Sequence, residues 1–275
     1  MKLSLESLIA AIVTSSLLVS IDAAAIEKRA SSGYNDFNCK PSTAHPRPLL
    51  LVHGTFLSAA SWNTYYPYFV KAGYCTYSLT YGKRKDIPLL GGLAPIESNA
   101  QEVGTFADKI LAATGHSQGG ILGRYWATYL GGAGKIGRLI GIAPIHHGTT
   151  LDGVLVLAKT VGLLGAMGDV LDPVAPALMQ QVAGSEFMKK LNNSTDILPG
   201  VYQANIATVL DVIVTPFSSC FQSGAAANDI LQELCTLDLH EHMLLPESKV
   251  VLRWVLNHLD PSTAKTADCR SLISI

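Results

Sequence analysis

The sequence predicts an α/β fold in which a mostly parallel, doubly wound sheet is packed between helices. Residues 48–52 form a short continuous apolar run that ends at His53-Gly54, which is typical of a strand buried on both faces. Strand-like and helix-like segments then alternate along the chain, as they do around parallel sheets. The chain has 275 residues, 48% apolar and 15% charged, and this composition indicates a globular domain rather than a disordered chain.

The first strand begins a predicted βαβ unit. Residues 62–72 place aromatic and apolar side chains at helical spacing and are followed by Gly73, a residue that commonly ends helices. Residues 74–81 then show the pattern of a second strand. Two parallel strands joined by a helix are the expected product of this order.

The later elements continue the alternation. Residues 97–113 are predicted to form one helix, because Val103, Phe106, Ile110 and Ala113 fall on one helical face. The remaining patterns predict helices at residues 119–130 and 248–259 and strands at residues 138–143 and 201–208. Elements in this order are expected to form one α/β domain.

Residues 151–182 differ from the rest of the chain in being rich in Leu, Val, Ala, Gly and Met, with few charges. One interpretation is a pair of buried helices. The other is a lid or a wall that binds acyl chains. An apolar segment inserted after a sheet strand can face a lipid substrate on one side and the core on the other.

The N-terminal residues have the pattern of a secretory signal peptide. Residues 7–21 are apolar, lie behind Lys2 and lead into a run of alanines, so residues 1–25 are predicted to be removed on secretion. A membrane anchor needs about 20 apolar residues, and this stretch is shorter and interrupted by Thr and Ser. Residues 26–29 are a candidate propeptide because they end in a dibasic pair, which leaves residues 30–275 as a single extracellular domain.

Charge and cysteine spacing argue against two classes of partner. The net charge is −1, from 20 Lys and Arg against 21 Asp and Glu, so the chain lacks the basic excess that neutralises phosphates of a nucleic acid. No Cys-x-x-Cys motif or His-Cys cluster predicts a metal site. We therefore expect neither a nucleic-acid partner nor a metal or organic cofactor.

Secretion places the five cysteines in an oxidising compartment, where they are candidates for disulfides. An odd number leaves one cysteine unpaired or paired between chains. Cys39 precedes the first predicted strand and Cys75 begins the second, so a bridge between them would tie the N-terminal extension to the sheet. The pairing of Cys220, Cys235 and Cys269 stays open on spacing alone.

Gly115-His-Ser-Gln-Gly119 matches the G-x-S-x-G nucleophile elbow, in which a sharp turn from strand to helix exposes a serine hydroxyl above the sheet. A helix is predicted directly after it, and His53-Gly54 lies where an earlier strand ends. In this architecture an early His-Gly loop and the residue after the serine supply the amides of the oxyanion hole. Ser117 is therefore the candidate nucleophile, with Thr55 and Gln118 as oxyanion-hole candidates.

A serine hydroxyl needs an imidazole to take its proton and a carboxylate to orient the imidazole. Asp211 follows the strand predicted at residues 201–208, which places it at the carboxyl end of that strand. His242 lies in a loop before the last helix, where the base is expected after the acid in chain order. His240 is two residues away, and spacing alone does not exclude it.

Several motifs in a fixed order resemble the secreted class 2 lipases of the α/β-hydrolase superfamily, the fungal and bacterial type of triacylglycerol lipase. The resemblance extends from about residue 39 to residue 269, and its motifs are Leu51-Val-His-Gly-Thr-Phe56, Gly115-His-Ser-Gln-Gly-Gly120, Ala143-Pro-Ile-His-His-Gly-Thr149, Gly184-Ser-Glu-Phe187, Thr208-Val-Leu-Asp211 with Val214-Thr-Pro216, and Glu241-His242.

The resemblance implies an α/β-hydrolase fold and the hydrolysis of acylglycerols by a triad of Ser117, Asp211 and His242. It favours His242 over His240 because the family places its base after a glutamate. It also implies disulfides between Cys39 and Cys75 and between Cys235 and Cys269, which leaves Cys220 unpaired.

The chain departs from this family in the segment before the serine. The family has a separate strand there, whereas residues 111–115 lead straight into the serine motif, as if about eight residues, the length of a strand and its turn, were absent. Either residues 109–114 are recruited from the preceding helix, or the sheet lacks a central strand. A single omission beside intact motifs indicates a mis-spliced or misannotated gene product, whose working form contains further residues between Ala113 and His116.

The sequence thus predicts a secreted serine carboxylic-ester hydrolase, of triacylglycerol lipase type, that acts on lipids or small esters at a lipid–water interface without an obligate protein partner. One alternative is an esterase or polyester depolymerase on the same scaffold, because acyl-chain preference depends on pocket depth and lid behaviour. The other is a catalytically impaired or non-catalytic protein, in which the triad residues persist in sequence but not in geometry.

Overall fold

The computed structural model describes residues 33–85, 88–108, 113–160, 175–193 and 195–274. Within these ranges the chain forms a six-stranded sheet in the order β2-β1-β3-β4-β5-β6, and every pairing is parallel. The strands are β1 (Leu49–Val52), β2 (Thr76–Ser78), β3 (Ala113–His116), β4 (Arg138–Ile142), β5 (Tyr202–Ala207) and β6 (Ala227–Ile230). The predicted α/β class is confirmed.

Eight α-helices connect or flank these strands within the described ranges. They are α1 (Tyr66–Lys71), α2 (Ile96–Ala107), α3 (Gln118–Tyr129), α4 (Leu151–Thr160), α5 (Pro176–Gln180), α6 (Glu186–Leu191), α7 (Leu231–Leu234) and α8 (Lys249–Leu259). Ser248 caps α8 by accepting a hydrogen bond from the Val251 amide, as a serine commonly does at a helix N-terminus. No helix in the described ranges is long and apolar enough to span a membrane.

The sheet lies in one large apolar core. All four residues of β1 are buried, as a strand with neighbours on both sides and helices on both faces must be. Helix α3 packs against β3 and β4, and α8 packs against β4. The buried side chains of these helices therefore hold the central strands in place, including the strand that leads to Ser117.

The central strand corrects one sequence expectation and resolves another. Helix α2 ends at Ala107, so the single helix predicted for residues 97–113 is wrong at its C-terminal end. Residues 113–116 instead form β3, which pairs with both β1 and β4. The alternative in which the sheet lacks a central strand is therefore wrong. Ladder hydrogen bonds on two sides outweigh a helical pattern of apolar residues, because tertiary context overrides local propensity.

Other predicted elements are present with shorter limits. The helix predicted for residues 62–72 is a 3-10 turn, Ala59–Trp62, followed by α1, and the strand predicted for residues 74–81 is only β2. Strand β6 was not predicted from the sequence. It has the sequence Ala-Asn-Asp-Ile and lies at the sheet edge, where a strand needs no continuous apolar run.

Two disulfides join Cys39 to Cys75 and Cys235 to Cys269, and Cys220 is free and buried. This confirms the pairing that the family resemblance implies. The first bridge ties the segment before β1 to the residue before β2, and so it stabilises that end of the sheet by restricting the unfolded chain.

Three segments of the sequence analysis lie wholly or partly outside the described residues. The predicted signal peptide (residues 1–25) and propeptide (residues 26–29) are outside them. The apolar segment at residues 151–182 is described at its two ends, where α4 and α5 form, and is not described at residues 161–174.

Candidate active site

Ser117 occupies a sharp turn between β3 and α3. Its backbone has φ 54° and ψ −124°, a conformation that non-glycine residues rarely adopt and that is characteristic of functional turns. Gly115 and Gly119 permit this turn, since a Cβ on Gly115 would overlap the Gly119 carbonyl and a Cβ on Gly119 would overlap the Val52 carbonyl. The two glycines of the G-x-S-x-G motif are thus required by close backbone contact.

The end of β1 lies directly beside this turn. A Cβ on Gly54 would come within 2.9 Å of the Ser117 Cβ, so the His-Gly loop approaches the serine as closely as a backbone can. Because the carboxyl ends of β1 and β3 meet at the same edge of a parallel sheet, Ser117 lies at the edge where α/β proteins bind ligands.

Asp211 lies four residues after the end of β5, at this same edge. Its Oδ1 accepts hydrogen bonds from the backbone amides of Ile213 at 2.9 Å and Val214 at 2.7 Å. Its Oδ2 lies 2.7 Å from Nδ1 of His242. Both carboxylate oxygens are therefore occupied, and the side chain is held in one orientation.

His242 begins the 3-10 turn His242–Glu247, which precedes α8. Its imidazole is buried together with the carboxylate of Asp211. Its backbone carbonyl accepts a hydrogen bond from Nε2 of His116 at 2.9 Å, and the two imidazole rings lie 5.0 Å apart between centroids. Since His116 is the residue before Ser117, this bond attaches the His242 loop to the serine turn.

The structure separates the two histidines that spacing left open. His240 contacts a different carboxylate, because its Nδ1 lies 2.5 Å from Oδ1 of Asp238. The side chain of His240 is 30% exposed, whereas that of His242 is 1% exposed. Of the two, only His242 is bonded to Asp211.

Ser117 is brought to the same edge as this pair but is not bonded to it. Among the residues that the structure describes, none forms a hydrogen bond with the Ser117 hydroxyl. The structure thus joins Asp211 to His242 and leaves the serine–imidazole bond unformed. In enzymes without substrate such bonds are often long or poorly aligned and tighten only in the reacting complex.

Thr55 and Gln118 lie together beside the serine turn. The Gln118 side-chain amide donates to the Thr55 hydroxyl at 2.8 Å and to the Gly92 carbonyl at 3.1 Å. Gln118 is the first residue of α3, where backbone amides point out of the helix. No acceptor among the described residues takes the backbone amide of Thr55 or of Gln118, so both remain able to donate.

Two further residues of this network were not predicted from the sequence. Asn99 donates to the side-chain oxygen of Gln118 at 2.9 Å, and the amide of Gln181 donates to the Thr55 hydroxyl at 3.1 Å. Both are buried. The available signal was a polar residue where neighbours are apolar: Asn99 in the buried face of α2, and Gln181 at the end of the apolar segment.

Three histidines near this edge are held neutral by burial. Burial lowers the pKa of His53 to about 4, although a hydrogen bond to the Gly54 carbonyl opposes the shift. Burial, with the neighbouring His242 next in importance, lowers the pKa of His116 well below its ordinary value. Burial and the charge of Arg124 lower the pKa of His146 to about 3.

A small apolar cluster, separate from the main core, borders the site. It contains Phe56, which follows Thr55, and Ile213, which donates to Asp211. The other buried members come from the segment after β2 and from the ends of the apolar segment: Leu93, Val154, Leu157, Ala158, Ala175 and Leu178. Helices α4 and α5 are thus packed next to the residues that hold the oxyanion-hole candidate and the acid.

An all-parallel sheet with a serine in a strained turn after its central strand defines an α/β-hydrolase fold. The sequence model of the alpha/beta hydrolase family matches residues 49–266, and the chain belongs to this family. A comparison with curated protein sequences found no match.

Solved structures of lipases share the fold. Aspergillus fumigatus lipase B is 21% identical with a TM-score of 0.63, over 81% of this chain and 53% of that one, so this chain spans about half the length of that lipase. The mature form of Bacillus licheniformis lipase BlEst2 is 18% identical with a TM-score of 0.56, over 80% of this chain and 94% of that one. At these identities the similarity establishes the fold.

Proposed function

We propose that this protein is a secreted serine carboxylic-ester hydrolase of the triacylglycerol lipase type, with Ser117 as nucleophile, His242 as base and Asp211 as the residue that orients the base. The observation that carries the proposal is the buried 2.7 Å bond between Asp211 and His242, attached through His116 to a serine in a strained turn. The two disulfides are consistent with an extracellular protein.

In the first half of the reaction, His242 Nε2 takes the hydroxyl proton as Ser117 Oγ attacks the ester carbonyl carbon. The carbonyl π electrons move to the oxygen, and the amides of Thr55 and Gln118 donate to that oxyanion. Collapse of the tetrahedral intermediate breaks the bond to the alcohol oxygen, which leaves with the proton from His242. The product is an acyl-Ser117 ester.

In the second half, water replaces the alcohol. His242 Nε2 removes one proton from water as its oxygen attacks the acyl carbonyl, and the same two amides receive the second oxyanion. Collapse breaks the bond to Ser117 Oγ, which regains a proton from His242, and the acid leaves. Asp211 stays ionised throughout, because both of its oxygens accept hydrogen bonds.

Exposed apolar side chains around the acid and the base favour a lipid substrate. The loops that carry Asp211 and His242 expose a set of large aliphatic side chains to solvent: Val209, Leu210, Val212, Leu237, Leu239 and Leu244. Leu237 and Leu239 are each 72% exposed. Exposed apolar groups concentrated on a few loops mark an interaction surface, and beside an ester-hydrolase site they suit contact with a lipid surface.

The apolar segment at residues 151–182 supports the same substrate class. Its described ends, α4 and α5, contribute to the apolar cluster beside Thr55 and Asp211. An acyl chain bound at Ser117 needs apolar groups to receive it. We therefore assign these helices to the wall or lid that contacts the acyl chain.

The proposal is tested by hydrolysis of p-nitrophenyl esters of short and long acyl chains by purified protein that circular dichroism verifies as folded. Ser117→Ala should reduce kcat by about 10⁴-fold or more while leaving the melting temperature similar. Ser218→Ala, which removes a hydroxyl from an exposed residue outside the site, is the matched control and should retain activity. Folded protein without ester hydrolysis would contradict the proposal.

A comparison of tributyrin with an emulsified long-chain triacylglycerol tests the substrate class. The exposed aliphatic side chains predict a higher rate on the emulsion. Replacement of Leu237 and Leu239 by serine should lower that rate more than the rate on tributyrin in solution. A rate confined to tributyrin would indicate an esterase on this scaffold instead.

A further inference from the structure

A cleft that takes no part in the proposed reaction lies at the amino edge of the sheet. Two adjoining cavities, of about 520 and 340 Å³, share His45, Tyr74 and Asp260 as a common wall. The larger one is also lined by Arg138 and Tyr202, the first residues of β4 and β5. In a parallel sheet this edge is opposite to the edge that carries Ser117. We call the two cavities the basal cleft.

Positive charge is concentrated around the basal cleft. Lysine and arginine side chains line it against a single carboxylate, that of Asp260; they are Arg47, Lys71, Arg138, Arg253 and Lys265. The whole chain, by contrast, has 20 Lys and Arg against 21 Asp and Glu. A local excess of this kind in a concave site attracts anions.

The protein does not neutralise these cations itself. Arg253 is only 9% exposed, yet no described residue offers its guanidinium an ion pair or a hydrogen bond. Arg47 also lacks such a partner among the described residues, and its guanidinium occupies the space of a Cβ on Gly137. The carboxylate of Asp260 is already bonded to the turn Pro261–Thr263. A nearly buried, unpaired arginine is costly unless an anion joins it.

Two aromatic residues complete the cleft. The Tyr74 hydroxyl is buried without a hydrogen-bond partner, and its ring stacks on His45 with centroids 3.9 Å apart. The Arg138 guanidinium lies 4.4 Å from the ring centroid of Tyr202 and donates to the His258 carbonyl. An unpartnered hydroxyl and flat aromatic faces suit a ligand with both an oxyanion and a small organic body.

We propose that the basal cleft binds a phosphate-bearing ligand, a dianionic phosphomonoester, on Arg47, Arg138 and Arg253. Several like charges in one cleft favour a multiply charged anion over a monovalent carboxylate, because each added cation repels the others until the charge is balanced. Guanidinium groups match phosphate oxygens with paired N–H donors. The larger cavity has room for a phosphate with a small body attached.

The test is isothermal titration of the purified protein with inorganic phosphate, phenyl phosphate and benzoate at constant ionic strength. Saturable binding of both phosphates, and weaker binding of benzoate, is expected. Cosedimentation with phosphatidylcholine vesicles, with and without phosphatidic acid, then distinguishes a lipid headgroup from a soluble phosphate ester as the source. Absence of saturable phosphate binding would overturn the proposal.

Variants connect the binding to the cleft. Arg47→Gln and Arg253→Gln should each weaken phosphate binding by about tenfold or more. Gly137→Ala keeps every charge and displaces only the flexible end of Arg47, so it should weaken binding without unfolding the chain. Lys189→Gln, which removes an exposed charge paired with Glu186, is the matched control.

Equal losses in Lys189→Gln and the cleft variants would show attraction to general surface charge and would overturn the proposal, as would unchanged binding in Arg47→Gln. Circular dichroism and the melting temperature of each variant verify folding. Should Arg253→Gln fail to fold, the exposed Arg47 and Gly137→Ala carry the test.

Discussion

Nδ1 of His242 lies 2.7 Å from Oδ2 of Asp211, and both side chains are buried. The two residues are 31 positions apart in the chain and come from different loops at the carboxyl edge of the sheet. His240, two positions from His242, is bonded to Asp238 instead. Each histidine therefore has its own carboxylate, and variants of the two pairs can be compared to find which one supports hydrolysis.

His242→Ala should abolish ester hydrolysis almost completely, because no other imidazole is bonded to Asp211 among the described residues. His240→Ala should retain most of kcat, since its partner Asp238 also binds the Ser248 hydroxyl and so keeps a structural role. Steady-state kinetics on a p-nitrophenyl ester check both variants. The reverse order of effects would assign the base to His240.

Asp211→Asn should reduce kcat by about 10⁴-fold with little loss of stability. The asparagine oxygen can keep the bonds to the Ile213 and Val214 amides, which turns its NH₂ group towards His242 Nδ1. The imidazole proton must then move to Nε2, where it cannot accept the serine proton. Asp238→Asn is the matched control and should leave kcat close to the wild-type value.

Stability should fall in mild acid because buried histidines are neutral in the folded protein. Burial lowers the pKa of His53 to about 4 and of His146 to about 3, while unfolded histidines titrate near their ordinary value. The unfolded state binds more protons below that value, so the free energy of unfolding decreases as the pH falls from about 6.5 towards 4, by about 1.4 kcal/mol per pH unit for each histidine.

Urea denaturation between pH 5 and 8 measures this slope. His146→Gln should make the slope shallower by about one proton, while the difference in stability at pH 8 reports the packing lost. An unchanged slope in His146→Gln would show that another group carries the acid sensitivity.

Of the two overlapping glycosylation sequons, Asn193 should carry the glycan when the protein is secreted from a eukaryotic host. Asn192 is engaged, because its oxygen accepts from Arg124 and its amide donates to the His146 and Met188 carbonyls. Asn193 is exposed. Asn193→Gln should remove the glycan mass. Asn192→Gln should keep that mass and lower stability by about 1–3 kcal/mol, and a glycan found on Asn192 would contradict the assignment.

Sequencing of the transcript tests the prediction of a missing segment before the serine motif. Only residues 108–112 connect the end of α2 to β3. A longer working form should show an in-frame insertion of about eight codons, the length of a strand and its turn. A mature message in which the codons of Ala113 to His116 follow one another without an insertion would rule out the mis-spliced origin. The four-residue β3 would then be the native central strand.

Much of the site could be predicted from chain order. Ser117 was predicted because the elbow is local: two glycines and a serine within five residues meet a backbone requirement that no distant contact changes. Asp211 was placed correctly at the end of β5, since the carboxyl ends of parallel strands share one edge. The catalytic roles of these residues stay predictions.

The network around Thr55 could not be predicted. Asn99 and Gln181 come from α2 and from the residue after α5, far from Thr55 in sequence. Side-chain amides carry no periodic signal, so only the packed structure shows which polar groups meet. The basal cleft was missed for the same reason, because its cations come from the segment before β1, from α1, from β4 and from α8.

The sequence by itself determined the α/β class, the elbow and the chain order of the candidate acid and base, because these depend on local periodicity and on short motifs. Tertiary structure alone decided that residues 113–116 form a strand, since the bonds that hold β3 belong to β1 and β4. It also decided that His242 rather than His240 binds Asp211. Two positions of spacing separate these histidines, but the fold turns their side chains towards different carboxylates, and hydrogen bonds depend on distance in space.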